Sequence, residues 1–294
     1  MATENVEGKR VRVKGGVCIY CGWDGGEFGL RDEHVVPRSL GGSTVLLKAS
    51  CKDCEAKTSY IDGYLANAIF KHLRVHIGLP SRSGHPESLR AVVELRDGQR
   101  VIDLAPTDHP YFLNMPIWRP PGFMLGREIS CGFGSPGRFT YWYAPPSLRD
   151  AIGLRDGDIA KIIDASEPHN LSAFARGLAK IAYCEAVMRD GLEGFRPLAT
   201  PDIILGKYPN VAYFVGSEST KPSPPDKRGI QHSVRLGSIN YSNTRFLTAT
   251  IRLFADSGAD DNGMPYYTVI YGSEGRHHVI SRPRSPELAK QILL

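Results

Sequence analysis

Leu30-Arg-Asp-Glu-His-Val-Val-Pro-Arg-Ser-Leu-Gly-Gly42 is the stretch whose reading decides the fold. Val35 and Val36 favour a strand, with Leu30 ahead of them. Pro37 stops regular pairing, because it has no N–H to donate. Gly41-Gly42 marks a loop. Beyond it, Val45-Leu46-Leu47 is a short apolar run able to bury against the strand. Outside these lie two C-x2-C knuckles, Cys18-Ile-Tyr-Cys21 and Cys51-Lys-Asp-Cys54. Two residues between ligands let one tight turn present both sulfurs, and four thiolates suit Zn²⁺. Cys18, Cys21, Cys51 and Cys54 are therefore expected to hold a structural zinc. The 29 residues between Cys21 and Cys51 exceed the usual ribbon spacing, so they must carry structure of their own. From Glu55 to His72 a helix follows, with Ile61, Leu65, Ile69 and Leu73 at helical spacing and Gly63 weakening it. The result is a β–loop–β–helix unit stapled at both ends.

The combination of Cys18-x2-Cys21, Asp32-Glu33-His34-Val-Val-Pro37, Leu40-Gly-Gly42 and Cys51-x2-Cys54 before a helix resembles the HNH endonucleases of the ββα-metal fold, in their zinc-stapled four-cysteine branch. The resemblance covers roughly residues 10–80. It implies a metal-dependent endonuclease that hydrolyses phosphodiester bonds of nucleic acid, with DNA the expected substrate. It assigns His34 as general base and Glu33 as ligand of a catalytic Mg²⁺ or Mn²⁺. Asp32 is an alternative to Glu33, since adjacent strand residues face opposite ways. Glu55 stands where the family usually has His or Asn as a second ligand, and Leu46 where it usually has a central Asn. Arg38, Lys48, Lys52 and Lys57 surround the motif as candidate phosphate-binding residues.

The whole chain has 294 residues, 41% hydrophobic and 23% charged, which excludes a largely disordered or coiled-coil protein. Its formal charge of +5 permits nucleic-acid binding without requiring it. No apolar run reaches a membrane span, and the N-terminus lacks a signal-peptide core, so a cytoplasmic protein is expected.

A linker over Leu79–Pro86 ends the first unit, giving domains 1–80 and 81–294. The second reads as α+β, with mainly antiparallel strands and one long helix. Asp97-Gly98 predicts a hairpin between runs 91–95 and 100–104. Further strands are expected over 111–115, 139–143, 211–215, 231–236, 245–254 and 266–271. Short helices are expected over 145–152 and 286–293, and Ser217–Gly229 reads as a loop. Leu171–Arg189 is the dominant helix: Leu171, Phe174, Leu178, Ile181, Cys184 and Met188 form its buried face, Asn170 or Ser172 caps it, and Gly191 ends it. The acidic run 256–263 lacks the ligand spacing of a calcium loop and reads as a turn. His109, His169, His232, His277 and His278 show no ligand spacing. No catalytic motif stands out in this half, which leaves room for a regulatory, nucleic-acid-binding or partner-binding role, including a partner protein or a second copy of the chain. Restriction, mobile-element or antiviral defence would suit such a nuclease. A zinc-ribbon binding module without catalysis, or an assembly adaptor, are the alternatives.

Overall fold

The computed structural model describes residues 9–79, 81, 84, 86–96, 98–154, 161–162, 170–217, 232–255 and 265–275. The loop expected over 217–229 lies almost wholly outside them, as do the acidic run 256–263 and the closing helix 286–293. So do His169, His277 and His278.

The N-terminal unit is built on a three-stranded sheet: β1 (Arg10–Arg12), β2 (Arg31–His34) and β3 (Val45–Ser50), in the order β1-β3-β2. β2 and β3 pair antiparallel, whereas β1 runs parallel to β3. The expectation contained no β1, because three residues of alternating Arg and Val carry too little pattern. The motif strand also sits earlier than expected: it is Arg-Asp-Glu-His, and Val35-Val36 run on as buried connection. Gly41 and Gly42 are required for different reasons. Gly41 adopts a left-handed φ of 88°, while a Cβ at Gly42 would lie 2.0 Å from the Val36 carbonyl oxygen.

The helix after the second knuckle is interrupted. α1 (Lys52–Tyr64) passes into a π turn over Leu65–Ile69, which the Phe70 N–H closes on the Leu65 carbonyl. α2 (Lys71–His76) then continues, and its buried Arg74 donates to the carbonyls of Ser39 and Ala66, tying this helix to the loop after the motif.

The hairpin of β4 (Leu89–Leu95) and β5 (Gly98–Leu104) forms as expected, and β6 (Tyr111–Ile117) pairs with β7 (Gly137–Tyr143). Next come α3 (Leu148–Ala151) and β8 (Lys161–Ile162), the latter paired with β4.

α4 (Leu171–Asp190) starts at Asn170, whose side chain accepts from the Ala173 N–H at 3.0 Å. It is buried on nearly every side and not on one face alone, because it lies between α1 and an antiparallel sheet. That sheet follows β9 (Arg196–Pro197), α5 (Thr200–Ile204) and α6 (Val211–Phe214), and contains β10 (Val215–Ser217), β11 (His232–Tyr241), β12 (Thr244–Leu253) and β13 (Tyr267–Ser273), in the order β10-β13-β12-β11 with β9 also on β13. Val-Ala-Tyr-Phe, read as a strand, is a helical turn whose Val211, Ala212 and Phe214 are buried; only Val215 onward is extended. An apolar run this short has no period to separate the two forms.

One hydrophobic core joins both halves of the chain. It runs from Tyr20, Leu46 and Ile61 through Phe174 and Ile181 to Ile251 and Val269. At the junction Gly177 lets α4 approach α1 closely, for a Cβ there would sit 2.7 Å from Leu65 Cδ1. Three polar contacts tie α4 and its first cap residue to the N-terminal unit. Tyr183 donates to the Ile19 carbonyl at 2.6 Å, Tyr20 meets Cys184 Sγ at 3.2 Å, and the Asn170 N–H donates to the Tyr64 hydroxyl at 2.7 Å. A fourth lies at the loop after the motif, where His232 Nε2 donates to the Leu40 carbonyl at 2.7 Å and its Nδ1 accepts from the Phe254 N–H. Among the described residues, no helix is long and apolar enough to cross a membrane.

Candidate metal centre and nuclease site

The two knuckles converge. The Sγ atoms of Cys18, Cys21, Cys51 and Cys54 all lie within 4.8 Å of one another. Cys21 and Cys51 are 3.7 Å apart, far beyond a disulfide and equal to the edge of a tetrahedron with metal–sulfur bonds of about 2.3 Å. Local geometry makes the first knuckle: the Cys18 N–H donates to the Trp23 carbonyl, and the Gly22 N–H to the Cys18 carbonyl. The second is shaped by Cys51 standing as the residue before α1, which places Cys54 one turn in. A hydrogen bond from Cys54 holds the Cys18 thiol down to about 5, so one sulfur is already disposed to be a thiolate. The donor set and spacing fit zinc.

β2 carries Glu33, His34 and the alternative ligand Asp32, and the first turn of α1 carries Glu55. Arg31 and Glu33 reach toward α1, whereas Asp32 reaches Lys48 of β3 and Arg10 of β1. Arg31 meets Glu55 at 2.6 Å, and Thr58 Oγ1 donates to Glu33 Oε2 at 3.1 Å. Glu33 and Glu55 thus border one seam between β2 and the first two turns of α1. Opposite β2, three residues of β3 face Asp32, so that strand bulges. Lys48 takes a left-handed φ of 52° there, and its N–H donates to Asp32 Oδ1 at 3.0 Å. Asp32 also pairs with Arg10 at 3.3 Å. Leu46 is fully buried opposite Glu33 and serves as core.

Glu33 has a partner that the sequence did not announce. Its buried carboxylate receives Lys180 of α4 at 3.0 Å, and the same ammonium reaches Asp62 of α1 at 3.0 and 3.2 Å. The Lys180 side chain is 0% exposed. Burial alone would lower its pKa, but the charges of Asp62 and Glu33 outweigh that and raise it. A signal existed: Lys180 is a charged residue on the stripe that Gly177 and Cys184 share in α4.

His34 is half-buried, and its pKa falls below 6.5, chiefly by burial and then by the charge of Lys180. The imidazole is therefore neutral near pH 7, as a proton acceptor must be. Arg38, Lys48, Lys52 and Lys57 are all exposed. Among the described residues, the four thiols form a group of ligands close enough to share an ion, whereas Glu33, His34 and Glu55 are not gathered in that way. Their chemistry still suits a hard divalent ion, because carboxylate oxygens are the preferred donors of Mg²⁺ and Mn²⁺.

Residues 18–69 match the family model described as HNH endonuclease. That stretch is similar to an HNH endonuclease module. The match starts at the first knuckle cysteine and ends in the π turn, so it contains both knuckles, β2, β3 and α1. No curated protein and no solved structure matches the chain. The HNH module implies nuclease activity and contact with nucleic acid, and its four-cysteine cluster fits structural zinc.

Proposed function

We propose that the protein is a metal-dependent endonuclease that cuts DNA. The observation that carries this reading is the placement of Glu33-His34 on β2, within the stretch that matches the HNH family model and beside a seam bordered by two carboxylates. His34, neutral near pH 7, takes a proton from the attacking water. Glu33 and Glu55 hold the Mg²⁺ or Mn²⁺, which when bound supplies positive charge to the scissile phosphate. Glu55 can turn to that task cheaply, because an exposed pair such as Arg31–Glu55 is worth at most about 1 kcal/mol. Arg38, Lys48, Lys52 and Lys57 hold flanking phosphates. A cytoplasmic role in restriction, mobile-element or antiviral defence agrees with this chemistry.

The test is incubation of supercoiled plasmid and single-stranded DNA with Mg²⁺ or Mn²⁺. Cutting by the wild type, stopped by EDTA and abolished in His34→Ala, is the expected result. A second reading, a nucleic-acid-binding module without catalysis, is favoured by the engagement of both Glu33 oxygens with Lys180 and Thr58. Tight DNA binding with no cutting under either metal would establish that reading and overturn the first.

A further inference from the structure

We propose that Lys180 is the resident cation of the HNH site, a positioning residue that fixes Glu33 and sets by its charge how strongly a divalent ion is held there. The inference rests on the reading of Glu33 as a metal ligand.

The geometry is complete in a way that surface pairs are not. An ammonium has three N–H donors. Lys180 Nζ lies within 3.2 Å of three acceptor oxygens, Glu33 Oε1 and both oxygens of Asp62. Thr58 holds the remaining oxygen of Glu33. Glu33 therefore has little rotational freedom, and it is aimed by a residue nearly 150 positions away in sequence. Nor can the ammonium withdraw. It sits in mid-helix, with the next turn of α4 tied down by Tyr183 on the Ile19 carbonyl and Cys184 on Tyr20. The C-terminal half thus completes the site permanently, without acting as a switch.

Charge gives the consequence. Glu33, Asp62 and Lys180 together carry a net charge of −1. Without Lys180 they would carry −2, which a divalent ion would neutralise. A positive neighbour weakens cation binding, and Asp62 strengthens it. The two residues should therefore move metal affinity in opposite directions, which structural damage would not do.

The experiment measures Mn²⁺ binding to the full chain by calorimetry, without nucleic acid. Zinc content and far-UV circular dichroism report on folding. Lys180→Met keeps the apolar stem and removes the charge; it should bind Mn²⁺ roughly tenfold tighter or more. Asp62→Asn should bind it roughly tenfold more weakly. Both shifts should vanish in a Glu33→Gln background. If Glu33→Gln weakens binding but the other two variants leave it unchanged, or both weaken it, the role of Lys180 is refuted and the site reading stands. If Glu33→Gln leaves Mn²⁺ binding unchanged, Glu33 is no ligand, and both fall. Should Lys180→Met not fold, the neutral Lys180→Gln takes its place: tighter binding supports the inference, and unchanged or weaker binding overturns it.

Discussion

Replacing Gly177 with valine should destabilise the whole protein by about 2–3 kcal/mol. A Cβ at this position would sit 2.7 Å from Leu65 Cδ1 and 3.2 Å from Ile61 Cγ2. Carbon atoms prefer about 3.5–4.0 Å, so the first added atom already makes the end of the Leu65 side chain move by roughly 1 Å. Two further methyl groups must then find room in a core where Leu65 and Ile61 are fully buried. Overpacking of this kind costs about 1–3 kcal/mol. Gly177→Ala is the calibration. Its single methyl meets the flexible end of Leu65, and alanine gains up to about 1 kcal/mol over glycine in a helix interior. The alanine variant should therefore lie within about 1 kcal/mol of wild type. Urea unfolding followed by circular dichroism, with zinc release followed in parallel, makes the measurement. One shared transition, shifted to lower urea for both signals in Gly177→Val, is expected because the two halves share one core. A Gly177→Val variant as stable as wild type, or zinc release that moves apart from the helical signal, would refute the reasoning.

Three other outcomes follow from the same geometry. Cys51→Ser should lose zinc and most of the module's structure, since structural zinc contributes about 10–16 kcal/mol of binding free energy to folding; zinc content and circular dichroism check it. Cutting should rise with pH and level off with a midpoint below 6.5, because burial lowers the pKa of His34 and the base acts only when neutral; a midpoint above 6.5 in a pH–rate profile would contradict that protonation state. The third concerns His232, whose ring packs on Phe254 at 4.7 Å and is held neutral by burial down to about 4, against 6.5 when unfolded. Its contribution is full above pH 6.5 and is lost as pH falls from 6.5 toward 4. At about 1.36 kcal/mol per pH unit this amounts to at most about 3 kcal/mol, the residue being only partly enclosed. In urea titrations, His232→Gln should therefore lose less stability than wild type between pH 7 and pH 4.

Local chemistry made much of the molecule legible. The two knuckles needed only ligand spacing to place four sulfurs together. Asp97-Gly98 marked its hairpin, and Asn170, the apolar spacing and Gly191 delimited α4 almost to the residue. What escaped depends on distant partners. β1 exists because β3 offers it an edge, and three residues show no period of their own. The β11–β12 hairpin runs on to Tyr241 because Ser242 and Asn243 both take positive φ, a turn that a Ser-Asn pair signals faintly. The turn at Val211–Phe214 was ambiguous for lack of length. At the candidate site, the residue types of Glu33 and His34 could be read from the motif, but the commitments of Glu33 to Lys180 and Thr58 could not. They arise from packing α4 across the seam, a long-range event that leaves a single lysine on an apolar stripe as its trace.

Crystals grown with Zn²⁺ and Mn²⁺ together, measured by anomalous diffraction at both absorption edges, test the central claim most directly. A zinc peak at the centre of the four sulfurs and a manganese peak on the β2–α1 seam, touching Glu33 and Glu55, are the expected result. A manganese peak remote from both carboxylates, or thiols without zinc, would contradict it.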